Sequence, residues 1–263
     1  MSRIASIFAA ANHVALIPYV TVGYPDINTT LEVVPLLAEN GCDLVELGIP
    51  FSDPLADGAT IQRASHQALK HGITPRLCLE LTRQLRQRTH IPLVFMTYYN
   101  PVLRFGLEEF CHKCAQVGID GLIIPDLPPE EGQELEPITG RYDLDVIYLL
   151  APTSTEKRIE LVAEKSRSFI YLVSLTGVTG ARDKLPEELE DFVARVRKKT
   201  GKPLCVGFGV STTEHARRIA RVADGVIVGS KIVQLLEEDR SLRQVCSFVK
   251  SLKSALTRKE ANM

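Results

Sequence analysis

Short apolar runs rich in β-branched residues alternate along the chain with longer stretches whose apolar positions recur every three to four residues. The runs predict strands at Ala15–Thr21, Asp43–Ile49, Leu93–Tyr98, Gly121–Pro125, Val146–Leu150, Phe169–Ser174, Leu204–Gly207 and Gly225–Val228. Most are continuously apolar, as parallel strands covered by helices must be. Helical patterns fall between them: Asn28-Thr29-Thr30 to Glu39, Thr60–His71, Pro75 to about Arg88, Leu107–Val117, Pro129–Ile138, Thr155–Ser166, Pro186–Lys199, Thr212–Arg221, the run KIVQLLEE after Ser230, and Ser241–Leu256. This alternation predicts an α/β fold, a single (β/α)8 TIM barrel over residues 1–263 with an extra N-terminal helix; a doubly wound open sheet is the alternative. In a barrel, chemistry belongs at the C-terminal ends of the strands, so those positions are the ones to inspect.

One strand carries an acid. In VELGIPFSDPLADG, alternation places Leu44, Glu46 and Gly48 on one face and Val45, Leu47 and Ile49 on the other. A barrel would turn the Glu46 face inward. Burial there is costly unless the carboxyl is paired or protonated, and it raises the pKa toward values useful for general acid/base work. On spacing alone, a structural glutamate bonded to a neighbouring strand is an equal reading. The Pro- and Gly-rich loop that follows holds Asp53 and Asp57. It can carry Asp57 back over the barrel mouth opposite Glu46. Both aspartates are also turn formers, and Asp53, before Pro54, leans that way.

Glycine-containing turns follow the late strands: TGVTG (Thr176–Gly180), GFGVS (Gly207–Ser211) and VGS (Val228–Ser230), the last opening a helix. Glycine lets backbone N–H groups approach an anion, and a helix N-terminus adds a favourable dipole. Barrel phosphate sites commonly lie after strands seven and eight. A phosphorylated substrate is therefore expected, against ordinary helix-start turns. None of the three is a Walker or dinucleotide fingerprint. Tyr19, Tyr171 and Phe208 can wall a flat organic ligand or simply pack in the core.

Composition narrows the partners. With 31 basic and 32 acidic residues, the net charge of −1 gives no basic surface for nucleic acid. No apolar run is long enough to span a membrane, and the N-terminus lacks a basic signal-peptide region. Of six cysteines, Cys111 and Cys114 form a CxxC without a second ligand pair, which reads as helix-packing thiols in a reducing cytoplasm. The six histidines lack metal-ligand spacing, so no metal is expected.

Taken in order, IPYVTVGYPD, VELGIPFSDPLADGATIQ, MTYYNPV, IIPDLPPEE, LLAPTS, FIYLVSLTGVTG, VGFGVS and VGSKIV closely resemble the tryptophan synthase alpha chain family, essentially from end to end. The resemblance implies a lyase of tryptophan biosynthesis that cleaves indole-3-glycerol phosphate to indole and glyceraldehyde 3-phosphate. It assigns catalysis to Glu46 and Asp57, with Tyr171 beside the substrate. It places Tyr19, where many relatives carry phenylalanine, in the indole pocket. Phosphate contacts fall on Gly180, Phe208, Gly209, Gly229 and Ser230, and Thr179 positions Asp57 when the loop over Thr176–Lys184 closes. No cofactor is implied in this chain. The family partner is a pyridoxal-phosphate (PLP) beta chain in an α2β2 heterotetramer, faced by Asp53, Asn100 and Asp126. Two departures stand out: Ala59 where proline is commoner, and Leu175-Thr176 where some members have Arg-Ala. A free-standing indole-releasing lyase, or a subunit that only activates a beta chain, are the competing readings; intact Glu46 and Asp57 argue against the last.

Overall fold

The computed structural model describes residues 2–10, 13–173, 188–207 and 209–257. The expectations placed on Leu175, Thr176, Thr179, Gly180 and Phe208 lie outside those residues. Nine strand segments pair in parallel: β1 (Ala15–Thr21), β2 (Val45–Gly48), β3 (Leu93–Met96), β4 (Gly121–Ile123), β5 (Asp145–Ile147), β6 (Leu149–Leu150), β7 (Ile170–Val173), β8 (Leu204–Gly207) and β9 (Gly225–Val228). Their order is β5-β4-β3-β2-β1-β9-β8-β7-β6. The two ends of this sheet are joined through Tyr148, whose carbonyl accepts the Tyr171 N–H at 3.0 Å. The fifth barrel strand is thus split into two segments, and the sheet comes round into a nearly closed barrel of eight, as the alternation predicted.

Strand alternation builds two apolar layers. Leu16, Val20, Val45, Leu47, Phe95, Leu172 and Val226 pack outward under the helices. Ala15, Ile17, Leu44, Val94, Ile123, Ile147, Tyr171, Cys205 and Ile227 fill the barrel. The first helix, α1 (Arg3–Ala10), belongs to this inner layer through Ile4, Ile7 and Phe8. Phe8 meets Phe169 with ring centroids 5.8 Å apart. The N-terminal end of the barrel is therefore plugged with side chains, and the space left is at the other end.

The helices follow their strands as α2 (Ile27–Glu39), α3 (Ala59–Lys70), α4 (Pro75–Arg86), α5 (Tyr99–Phe105), α6 (Leu107–Val117), α7 (Leu135–Arg141), α8 (Glu156–Lys165), α9 (Leu189–Arg197), α10 (Thr213–Ala220), α11 (Ser230–Glu238) and α12 (Arg243–Leu256). Three differ from the sequence reading. The cap of α2 is Asp26, whose carboxylate accepts the Thr29 N–H at 2.8 Å, so the helix starts before the expected Asn-Thr-Thr. Residues 129–134 form turns, and α7 begins only at Leu135. Here Tyr148 takes the space: a Cβ on Gly132 would stand 2.2 Å from its hydroxyl oxygen, and that hydroxyl donates to Glu136. The short α5 is an addition; its Pro101 lies in the first turn, where a missing N–H costs nothing.

The bottom of the barrel is tied by aspartates just before strands. Asp43, Asp120 and Asp224 each donate their own N–H to the carbonyl of Leu16, Leu93 and Leu204 in turn, at 3.0, 2.8 and 2.9 Å. Each carboxylate then accepts the N–H of that same leucine, at 2.8, 2.9 and 2.9 Å. Cations complete the sites: Lys253 on Asp43 at 2.9 Å, Arg86 on Asp120 at 2.7 Å, and Arg197 on Asp224. The cysteines are unpaired; Cys42, Cys78, Cys111, Cys114 and Cys205 are buried, which bears out packing thiols. No helix among the described residues is long and apolar enough to cross a membrane.

Candidate functional site

The unplugged end of the barrel holds a cavity of about 360 Å³. Glu46 reaches it from the middle of β2 and is fully buried. Among the described residues, neither of its carboxylate oxygens has a hydrogen-bond partner. The equal reading left open by the spacing, a structural glutamate bonded to a neighbouring strand, is thereby removed. Burial drives the Glu46 pKa well above the ordinary carboxylate value. A buried carboxyl with unused hydrogen-bonding capacity is costly, and a ligand that satisfies it recovers that cost.

Asp57 comes from the loop after β2 and lines the same cavity, with its side chain 7% exposed. Burial raises its pKa to about 6, while a hydrogen bond from Tyr98 opposes the rise. The Tyr98 hydroxyl donates to Asp57 Oδ2 at 3.1 Å and accepts the Ala56 N–H at 2.9 Å. One phenol at the end of β3 thus fixes both the loop backbone and the carboxylate it carries. Sequence reasoning quoted Tyr98 within MTYYNPV but gave it no role. Its signal was its place two residues beyond Met96, at the C-terminal end of a strand.

Two tyrosines wall the cavity because two glycines make room. The Tyr19 hydroxyl oxygen lies where a Gly48 Cβ would be 2.0 Å away, and it accepts the Thr21 hydroxyl at 3.2 Å. Tyr19 pairs with Glu46 in the β1–β2 register, which brings the ring beside the acid. The Tyr171 hydroxyl oxygen stands 2.6 Å from a Cβ built on Gly207. Burial foremost raises the Tyr171 phenol well above its ordinary value. Ile61, Met96, Val173 and Ile227 complete an apolar wall suited to a flat ring.

The lining also includes Gly209, with φ +47°, and Gly229-Ser230 at the start of α11. Gly229 caps α11 without a side-chain hydrogen bond. The first intrahelical bond runs from Val233 N–H to the Gly229 carbonyl at 3.1 Å, so the N–H groups of residues 230–232 await another acceptor. Ser230 is 7% exposed, and its hydroxyl makes no hydrogen bond among the described residues. Arg158 and Lys231 also line this end and were missed from sequence. Of the predicted site residues, then, Glu46, Asp57, Tyr171, Tyr19, Gly209, Gly229 and Ser230 converge on one cavity. Asp53, Asn100 and Asp126 do not line it; all three are exposed on the segments that follow β2, β3 and β4. Among the described residues no cluster of His, Cys, Asp or Glu is arranged to hold a metal.

Comparison with known proteins places this geometry. Residues 6–261 match the family described as tryptophan synthase alpha chain. The tryptophan synthase alpha chain of Dehalococcoides mccartyi is 57% identical over 256 residues, covering 97% of this chain and 100% of that one. That of Chloroflexus aurantiacus is 49% identical over 98% of this chain and 100% of its own. Among solved structures, Mycobacterium tuberculosis tryptophan synthase superposes with a TM-score of 0.92 at 39% identity, covering 98% of this chain and 99% of that one. A chain from Aquifex aeolicus superposes with a TM-score of 0.91 at 45% identity, covering 98% and 100%. With identity of this order spread over nearly its whole length, the chain belongs to the tryptophan synthase alpha chain family.

Proposed function

We infer that this chain is a carbon–carbon lyase that cleaves indole-3-glycerol phosphate to indole and glyceraldehyde 3-phosphate in tryptophan biosynthesis. The observation that carries the reading is Glu46: a buried, unpartnered carboxyl facing a cavity that also holds Asp57 and an uncapped helix start. Retro-aldol cleavage must first turn indole C3 into a leaving carbon. Glu46, protonated by burial, delivers its proton to C3, and positive charge develops on N1. Asp57 accepts the N1–H and stabilises that charge. The Glu46 carboxylate then takes the proton of the glycerol hydroxyl next to the scissile bond. That oxygen becomes the aldehyde carbonyl, the C–C bond breaks, and its electron pair neutralises the indoleninium. Proton count and charge return to the start, so the chemistry requires no cofactor in this chain.

Gly209, Gly229 and Ser230 hold the phosphate, and Tyr19 and Tyr171 flank the indole. Anchoring the far end aligns the scissile bond over Glu46. Gly180, Phe208 and Thr179 complete the phosphate contacts and the fixing of Asp57 by the family's pattern. Indole passes to a PLP-dependent beta chain in an α2β2 assembly, in the cytoplasm. Support for that docking face comes from exposed Asp53, Asn100 and Asp126 lying near Leu55 and Leu103, which are 86% and 47% exposed.

The test is indole release from indole-3-glycerol phosphate by the purified chain, alone and with a matching beta chain. Weak turnover strongly stimulated by the partner is the expected result. High turnover alone points to a free-standing lyase. No turnover in either setting overturns the reading.

A further inference from the structure

The second residue of α11 is a lysine, and its position runs against local electrostatics. The N-terminus of a helix carries partial positive charge, which disfavours a cation there and favours an anion. The first turn of α11 holds no acidic residue to offset it. Lys231 is half-buried, lines the cavity, and makes no hydrogen bond or ion pair among the described residues. The other cation on the lining, Arg158, is bound to Glu130 at 3.0 Å. Beside Lys231 sits Ser230, a residue more than nine-tenths buried whose hydroxyl has no partner among the described residues. Among the described residues, a cation without a counter-charge, helix-start N–H groups without an acceptor and an unused hydroxyl therefore meet at the start of α11. Glu46 and Asp57 line the same cavity. A residue that breaks the local rule without local compensation marks a functional position.

We propose that Lys231 supplies the positive charge of the phosphate subsite and makes it selective for a phosphate monoester dianion. The proposal rests on the reading of Ser230 and the α11 start as a phosphate cradle. Backbone N–H groups alone accept monoanions and dianions with modest preference. An ammonium beside them favours the dianion and offsets the repulsion from the Asp57 carboxylate. Lys231 acts on binding and leaves the bond-breaking step to Glu46 and Asp57.

The experiment compares wild type, Lys231→Met and Lys231→Arg. Binding of inorganic phosphate and of glycerol 3-phosphate is measured by calorimetry at low and high salt, and KM and kcat for indole-3-glycerol phosphate are measured beside them. Lys231→Met is expected to weaken both ligands about tenfold at low salt, with a loss that shrinks at high salt, because a screened charge is what was removed. KM rises by a similar factor, kcat stays within about twofold, and Lys231→Arg recovers most of the affinity. Affinity of Lys231→Met within twofold of wild type, or a loss that is the same at both salts, overturns the proposal, as does a wild type that binds neither ligand. If wild type binds phosphate through Lys231 but releases no indole, the cleavage reading fails and the anion site stands.

Discussion

Glu46 shows what a functional residue costs the fold that holds it. Both of its oxygens are buried without partners among the described residues. Replacing it by an apolar side chain of similar size removes that penalty, so Glu46→Leu is expected to raise stability by about 1–3 kcal/mol in urea unfolding while abolishing indole release. Loss of stability in that variant would show that the carboxyl is satisfied in solution. Asp57 makes a different prediction. Its pKa of about 6 lies above the unfolded value, so the carboxyl holds its proton more tightly in the folded chain. Its contribution to stability is fully present below the unfolded pKa and is lost as pH rises through about 6. Activity runs the opposite way, because the ionised form stabilises the cation at N1; the acid limb of kcat/KM should fall near pH 6, as a property of Asp57 and Glu46 together. Tyr98→Phe removes the hydrogen bond that favours ionised Asp57. That limb should then move up by about one unit, since a hydrogen bond to a charged group is worth about 1.5–3 kcal/mol in part. An unmoved limb would show that Tyr98 positions the loop without tuning the acid.

Among the elements, the strand β2 and the loop after it do most to make the site. Val45 and Leu47 face the helices, which fixes the register, and the same alternation delivers Glu46 and Gly48 inward. Gly48 is required because the Tyr19 hydroxyl fills the volume its side chain would take. At the opposite end, the aspartates before β2, β4 and β9 hold neighbouring strands by paired backbone and side-chain bonds. Asp120 is the most enclosed of these, shared by Arg3 at 2.7 Å and Arg86 at 2.7 Å. Asp120→Ala leaves the half-buried Arg86 without its counter-charge and is expected to cost about 2–4 kcal/mol in denaturant unfolding. A cost below about 1 kcal/mol would mean that the backbone ladder alone sets this register.

For the molecule as a whole, the division of labour is between a plugged bottom and an open top. The helix α1 and Phe169 close one end with apolar packing, and Glu46, unpartnered among the described residues, lines the cavity at the other. Exposed Leu55 and Leu103 lie on the segments that follow β2 and β3, next to that open end. A beta chain docked there touches the loop that carries Asp57, which is a direct route for stimulation. Leu103→Asp should therefore weaken association with the beta chain by about tenfold or more, read by titrating the stimulation of indole release. Unchanged titration would move the docking face elsewhere. Much of this was already legible in the sequence. The strands β1, β8 and β9 lie where alternation of apolar runs put them, and so does Glu46 on its inward face, because a two-residue period and a burial requirement are local properties of the chain. The family motifs singled out Asp57, Tyr171 and Ser230 for the same reason: short segments carry them whole. What remained beyond reach were relations between segments distant in the chain. Tyr98 meets Asp57 across 41 positions, the Tyr148 hydroxyl packs over Gly132, and Lys231 shares a cavity lining with Glu46 and Gly209 from other segments. No local pattern encodes such contacts. They exist only once the barrel closes and brings the strand ends around one cavity, where a hydroxyl or an ammonium is left with nothing from its own segment to bind.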